Sequence, residues 1–327
     1  MEEWIKQRSD EEWKWVVGEI FKKPDFDDVA KEMKGLHDGT KNRFTKVAMS
    51  KTSQYYFFEE RTKVKIGKFP FHQIVENKQA YEDVAELAHR YFNKNPVGYT
   101  FDNWLKRYVR DVGRLFKTYG IPSQFPFSEA FSLYQQHNVN GKVFDYCCGW
   151  GNRLLAAMCN DLDYTGVDTN PALVEKLREM AVDFNAVNNL DLNVDVRCQG
   201  SEEHNPEWDN KFGLCFSSPP YFDLELYNGE NTSTTKFPEY TQWLEGYLKP
   251  TILNCRDYLI QGGRFIMSIK NMGSRKMYDE AMKMCLDSGM QLLDEQSLSV
   301  TRRTGTKSQQ EKGLQASNEK MLVFQKI

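Results

Sequence analysis

The sequence predicts an α/β protein: a mostly parallel seven-stranded sheet ending in an antiparallel hairpin, preceded by a smaller, mainly helical domain. Three observations carry this. Short apolar runs of strand length follow one another from residue 142 to residue 327. Helical patterns separate most of them, and strands joined through helices pair in parallel within a sheet covered on both faces. Between the last two runs lies only the polar stretch TRRTGTKSQQEKGLQASNE, so those two pair as a long hairpin.

In chain order, residues 1–95 are expected to form an N-terminal α+β domain and residues 96–327 the sheet domain. Asp10 is placed to cap EEWKWVVGEIF, and Asp25 or Asp27 precedes a second short helix. KNRFTKVAMSKTSQYYFFEERTKVKIGKFPF then mixes β-branched, aromatic and basic residues, and part of it alternates as strands do. Lysines and arginines there suit phosphates, while Tyr55, Tyr56, Phe57 and Phe58 suit stacked bases, so residues 41–71 are the candidate nucleic-acid surface. Core packing claims at least half of those aromatics. Helices are expected over 80–92 and 102–119, the latter with Trp104, Tyr108, Val109, Val112 and Leu115 on one apolar stripe.

The strands that follow are KVFDY (142–146), DYTGVD (163–168), LNVDVRC (192–198), FGLCFS (212–217), RFIMSIK (264–270), MQLLDEQSL (290–298) and KMLVFQKI (320–327). Helices are expected over 152–160, 171–187, 240–260 with a kink at Pro250, and 274–288.

Composition bounds the class. A chain of 327 residues with 40% hydrophobic and 13% aromatic content has room for two domains and a sizeable core. No run approaches the roughly 18 apolar residues of a membrane helix, and MEEWIKQRSDEEWKW is unlike a signal peptide, which implies a cytoplasmic protein without a membrane partner. The seven cysteines lack CxxC spacing and mostly sit in apolar runs, favouring reduced core thiols over disulfides or zinc; no metal is expected. Net charge is -3, with the first 130 residues slightly basic and the rest acidic.

Two motifs carry chemistry. The first strand runs into Asp145-Tyr-Cys147-Cys-Gly149-Trp-Gly151-Asn, immediately before a helix. Glycines at such a turn let backbone approach a ligand closely. Leu154 stands where a dinucleotide fingerprint has its third glycine, so a pyrophosphate cradle is not supplied. What is supplied is Asp168, at the end of the next strand in YTGVDTNP, where a carboxylate accepts hydrogen bonds from both hydroxyls of a ribose.

The second is GLCFSSPPYFDLELY at the end of the fourth strand. An exocyclic amine on a nucleobase is a poor nucleophile because its lone pair is delocalised into the ring. It must be held in line, with its hydrogens on acceptors that favour a tetrahedral nitrogen. Ser218 Oγ and the Pro219 carbonyl suit that task, Pro220 stiffens the carbonyl's direction, and Tyr221 offers a ring on which a flipped or single-stranded base stacks. The polar connection FDLELYNGENTSTTKFPEY reads as a substrate loop or lid; Asp223 and Glu225 within it read as solvated before they read as contacts to an amine.

The run VFDYCCGWGNRLLAA with YTGVDTNP resembles the cofactor motif of class I S-adenosylmethionine-dependent methyltransferases, and SSPPY resembles the [DNS]-P-P-[YFW] motif of their amino-methyltransferase branch. The resemblance covers about residues 120–327 and implies a Rossmann-like methyltransferase fold. It implies S-adenosyl-L-methionine as cofactor, with Asp145 near the methionine part, Cys147, Gly149 and Gly151 close by, and Asp168 on the ribose. Ser201 would flank the adenine, and Phe125 in GIPSQFPF would add an aromatic contact. Ser218, Pro219, Pro220 and Tyr221 would be the catalytic set. Serine at the first motif position is more typical of enzymes acting on cytosine N4 of DNA than on adenine N6. The expected partner is therefore nucleic acid, DNA before RNA. The same residues also fit an RNA base methyltransferase, a DNA base hypermodification enzyme or a non-catalytic nucleic-acid-binding protein. No separate domain is expected after the sheet, and recognition is then expected from residues 1–95, the 222–238 loop and the 301–313 loop with Arg302, Arg303 and Lys307.

Overall fold

The computed structural model describes residues 13–45, 48–65, 69–83, 86, 121–222, 227, 229–297 and 319–327. The helix expected over 102–119, most of that over 80–92, the 301–313 loop, Asp223 and Glu225 lie outside the described residues.

Seven strands form one sheet: β1 (Lys142–Asp145), β2 (Asp163–Asp168), β3 (Val194–Cys198), β4 (Phe212–Ser217), β5 (Leu259–Ile269), β6 (Met290–Ser297) and β7 (Lys320–Lys326). Their order is β3-β2-β1-β4-β5-β7-β6. The first five are parallel, and β7 runs antiparallel between β5 and β6. This is the Rossmann-like methyltransferase sheet with its terminal hairpin, as the sequence predicts. All six residues of β4 are buried, the pattern of a central strand with both faces covered.

Helices α1 (Phe26–Asp38), α2 (Ser50–Lys63), α3 (Phe127–His137), α4 (Asn152–Met158) and α5 (Pro171–Asn188) contribute to the core on one face of the sheet, where Met33, Tyr56, Phe57, Leu154, Leu177 and Phe184 are buried together. Caps explain the starts of two of them: Asp25 accepts from Asp27 N, and Asn170 accepts from Ala172 N and Leu173 N ahead of Pro171. On the other face, α6 (Lys249–Tyr258) and α7 (Met277–Asp287) bury Ile252, Cys255 and Cys285 against Phe144, Phe265 and Phe324. The expected kink precedes Pro250 as a π-helical turn over Leu244–Leu248. Proline has no N–H to return to residue 246, and wider bonding absorbs the loss.

The strands expected within residues 41–71 are not found among the described residues of that segment. The aromatic stretch is the helix α2, and the only described extended contact nearby is the isolated Lys65–Pro70 bridge. Tyr56, Phe57 and Phe58 are consecutive and all buried, because α2 is covered on more than one side. Tyr56 Oη donates to Asp183 on α5 at 2.5 Å, and the Phe58 ring meets Phe21 edge-on at 5.4 Å. A helix covered in this way shows no 3.6-residue apolar stripe, and its β-branched and aromatic content mimics a strand. The described part of the N-terminal region is thus helical and not α+β. Its cations are largely engaged as well: Lys41 with Glu32, Lys51 with Asp28, Lys63 with Glu60, Arg61 with the Pro122 carbonyl. Residue 95, the expected domain boundary, lies outside the described residues, but α1 and α2 share one apolar core with α3 to α5.

Candidate active site

A cavity of about 390 Å³ opens at the carboxyl ends of β1, β2 and β4, where parallel α/β sheets bind ligands. It is lined by both sequence motifs, from Cys147, Gly149 and Asp168 at one end to Ser218, Pro219, Pro220 and Tyr221 at the other.

Asp168 ends β2 and lines the cavity. Its Oδ2 accepts from Gly149 N at 3.1 Å and its Oδ1 from Asn170 N at 3.0 Å. Burial raises its pKa to about 6, against the lowering effect of those two N–H groups. Gly149 has φ +56°, and a Cβ there would meet nothing nearer than 3.7 Å, so this glycine serves the turn and leaves open space beside it.

Asp145 and Gly151 depart from expectation. Asp145 is fully buried and does not line the cavity. Its carboxylate is saturated by Arg153 Nε at 2.8 Å, Arg153 Nη2 at 3.3 Å, Tyr164 Oη at 2.7 Å and Cys147 N at 3.1 Å. The acid shapes the turn beneath the site, and Arg153, which also donates to the Cys147 carbonyl, lines the cavity in its place. Gly151 has φ +75° and is absent from the lining; a Cβ there would lie 2.5 Å from the Phe57 ring. Its small size admits α2.

Cys147 Sγ lies 3.1 Å from Tyr247 Oη, and burial pushes its thiol up to about 12, so it stands as a neutral thiol. Ser201 is held by Thr251, Oγ to Oγ1 at 2.8 Å, and by Asn254, which donates to its carbonyl at 2.9 Å. Phe125 lines the cavity, stands edge-on to Phe216 at 5.2 Å and gives its carbonyl to Asn152 Nδ2 at 2.7 Å.

At the far end, Tyr221 is tied down through its phenol. The Oη donates to Glu319 Oε1 at 2.6 Å and lies 3.3 Å from Ser218 Oγ. Lys270 Nζ sits 5.0 Å from its ring centroid, so a cation occupies one ring face. Thr232, Ser233 and Thr234 of the expected lid also line the cavity, and Lys236 joins that segment to Glu202 at 2.8 Å and Glu203 at 3.0 Å.

Asn152, Arg153, Tyr247, Lys270 and Glu319 are lining residues that the motifs did not single out. Asn152 has a signal that only structure reveals: its buried Oδ1 has no hydrogen-bond partner among the described residues. A buried acceptor left unmet is costly unless a ligand meets it. With the Asp168 carboxylate and the open cradle at Gly149, it makes a donor-seeking, polar end that fits a nucleoside bearing an ammonium group. Among the described residues, no group of His, Cys, Asp and Glu could hold a metal ion, and no helix is long and apolar enough to cross a membrane.

No protein-family model matches the chain, and no curated protein matches it. Solved structures similar in fold include a geranyl diphosphate methyltransferase in complex with SAM, with 11% identity and TM-score 0.43, covering 62% of this chain and 86% of that one. A TehB-like SAM-dependent methyltransferase from Corynebacterium glutamicum has 14% identity and TM-score 0.40, covering 69% and 97%. The [4+2]-cyclase SpnF has 14% identity and TM-score 0.42, covering 63% and 83%. At such identities and scores no chemistry is transferred from them; function has to be argued from the site.

Proposed function

We propose that the protein is an S-adenosylmethionine-dependent methyltransferase acting on an exocyclic amino group of a DNA base, cytosine N4 before adenine N6. The observation that carries this reading is the single cavity joining Asp168, Gly149 and Asn152 to Ser218, Pro219 and Tyr221. The cofactor would supply a methyl group on a sulfonium centre. Asp168 would take the ribose hydroxyls, Asn152 Oδ1 would accept from the ammonium group, and Ser201 and Phe125 would border the base. Ser218 Oγ and the Pro219 carbonyl would accept the hydrogens of the target amine and so direct its lone pair, while Tyr221 would stack on its ring. Thr232 to Lys236 would shield the site from water. The preference for DNA and for cytosine rests on the serine of the SSPPY motif.

The test is incubation of the full chain with isotope-labelled cofactor and assorted DNAs, followed by nucleoside mass spectrometry. N4-methylcytosine is expected. Label confined to RNA or free nucleotides overturns the DNA assignment, a larger transferred group indicates hypermodification, and no cofactor binding by calorimetry overturns the enzyme reading.

A further inference from the structure

Ser218 is useful to an amine only as an acceptor, yet a serine hydroxyl is equally able to donate. Something has to decide which. Glu319 lies just ahead of β7, 98 residues from Tyr221 in sequence, and its Oε1 receives two hydroxyls: Tyr221 Oη at 2.6 Å and Ser268 Oγ at 2.7 Å. Lys270 Nζ stands 3.8 Å from the other carboxylate oxygen. A carboxylate accepts and does not donate, so both hydroxyl protons point toward Glu319.

The phenol has one proton. It is also within 3.3 Å of the Ser268 carbonyl, but the shorter, charge-assisted bond to Glu319 takes it. Tyr221 Oη is then left only as an acceptor, and the 3.3 Å contact with Ser218 Oγ is formed by the serine's proton. With that proton turned toward Tyr221, the remaining lone pairs of Ser218 face the cavity.

Building on the amino-transfer reading, we infer that Glu319 is a positioning residue that orients the chain Ser218→Tyr221→Glu319 and thereby makes Ser218 an acceptor for an N–H-bearing substrate. Glu319 also sets specificity: a substrate nitrogen without hydrogens finds no donor at Ser218. Substituting glutamine introduces an amide that donates to Tyr221 Oη, frees the phenol proton for Ser218, and turns the serine proton into the cavity.

The test is a double-mutant cycle in the full chain. Glu319→Gln should lower kcat by about a hundredfold, on the order of the loss seen when one acid–base or oriented polar group is removed, with cofactor Kd unchanged. Tyr221→Phe, which keeps the ring and removes the phenol, should lower kcat to a similar degree, and adding Glu319→Gln to it should change kcat by less than about twofold. Equal losses in both backgrounds, or a loss confined to cofactor Kd, overturn the inference. A second readout needs no turnover. The Tyr221 phenol, held well above its ordinary range by burial and then by Glu319, should titrate lower in Glu319→Gln when followed by NMR of ring-labelled tyrosine, and an unchanged titration overturns the contact. Should Glu319→Gln fail to fold, Tyr221→Phe alone decides, since wild-type kcat in that variant removes the phenol from the chain. A wild-type protein that modifies no base, while the Tyr221 titration still moves, refutes the amino-transfer reading and leaves the hydrogen-bond chain standing.

Discussion

Asp145 and Asp168 end neighbouring strands and look equivalent in sequence, but their surroundings divide their roles. Asp145 is enclosed by an arginine, a tyrosine and a backbone N–H, whereas Asp168 meets two backbone N–H groups and the cavity. With its pKa raised to about 6, Asp168 carries a pH dependence of definite sign. Its folded value lies above the ordinary carboxylate value of 3.8, so the ligand-free fold favours the neutral acid, and this group's contribution to stability grows as pH falls from 6 toward 4. Ribose hydroxyls favour the ionised acid, so cofactor affinity should be level above pH 7 and weaken about fivefold between pH 6 and pH 5. Calorimetry across that range tests it; a flat profile, or one unchanged in Asp168→Asn, would mean that Asp168 does not hold the ribose. The place of Asp168 at the end of β2, beside the cavity, was legible because the apolar run that ends in it marks the strand's carboxyl end. Glu319 was not, because its role arises from a hairpin that returns it beside a motif far away in sequence.

At the scale of elements, the instructive pair is the glycine turn and α2. Both glycines of GWG suggested ligand approach, yet Gly151 is required by Phe57, whereas Gly149 serves the turn at positive φ and lines the cavity. Their variants should therefore fail differently. Gly151→Ala, with positive φ and a ring 2.5 Å from the new methyl, should lose about 1–3 kcal/mol of stability, read from denaturant midpoints. Gly149→Val should lower cofactor affinity by a larger factor than Gly151→Ala does. Identical profiles for the two would refute the division. Strand and helix positions in the sheet were readable because each strand is a compact apolar run with a helix between most pairs. The helix α2 escaped because aromatics on several of its sides erase the periodicity on which such reading depends.

For the molecule as a whole, the N-terminal helices complete the sheet's core. Val29, Met33, Leu36, Tyr56 and Phe57 are each no more than 3% exposed and pack in the cluster that includes Leu154, Leu177 and Phe184. Removing residues 1–64 would uncover that face, and burial at roughly 25 cal/mol per Å² of apolar surface makes the loss comparable with the whole stability of a domain. The expected outcome is that residues 65–327 alone show no cooperative thermal transition, while the full chain does. A fragment melting as sharply as the full chain would restore an independent sheet domain.

The strand order has a consequence for how the protein is made. β7 lies between β5 and β6 but is synthesised after both, and Phe265, Ile266 and Met267 of β5 pair with Phe324, Val323 and Leu322. While the ribosome is still translating the residues that separate β6 from β7, β5 offers an unpaired apolar edge, open to a second nascent chain. Ribosome stalling or premature termination in that interval would release a polypeptide lacking Glu319 and prone to association through that edge.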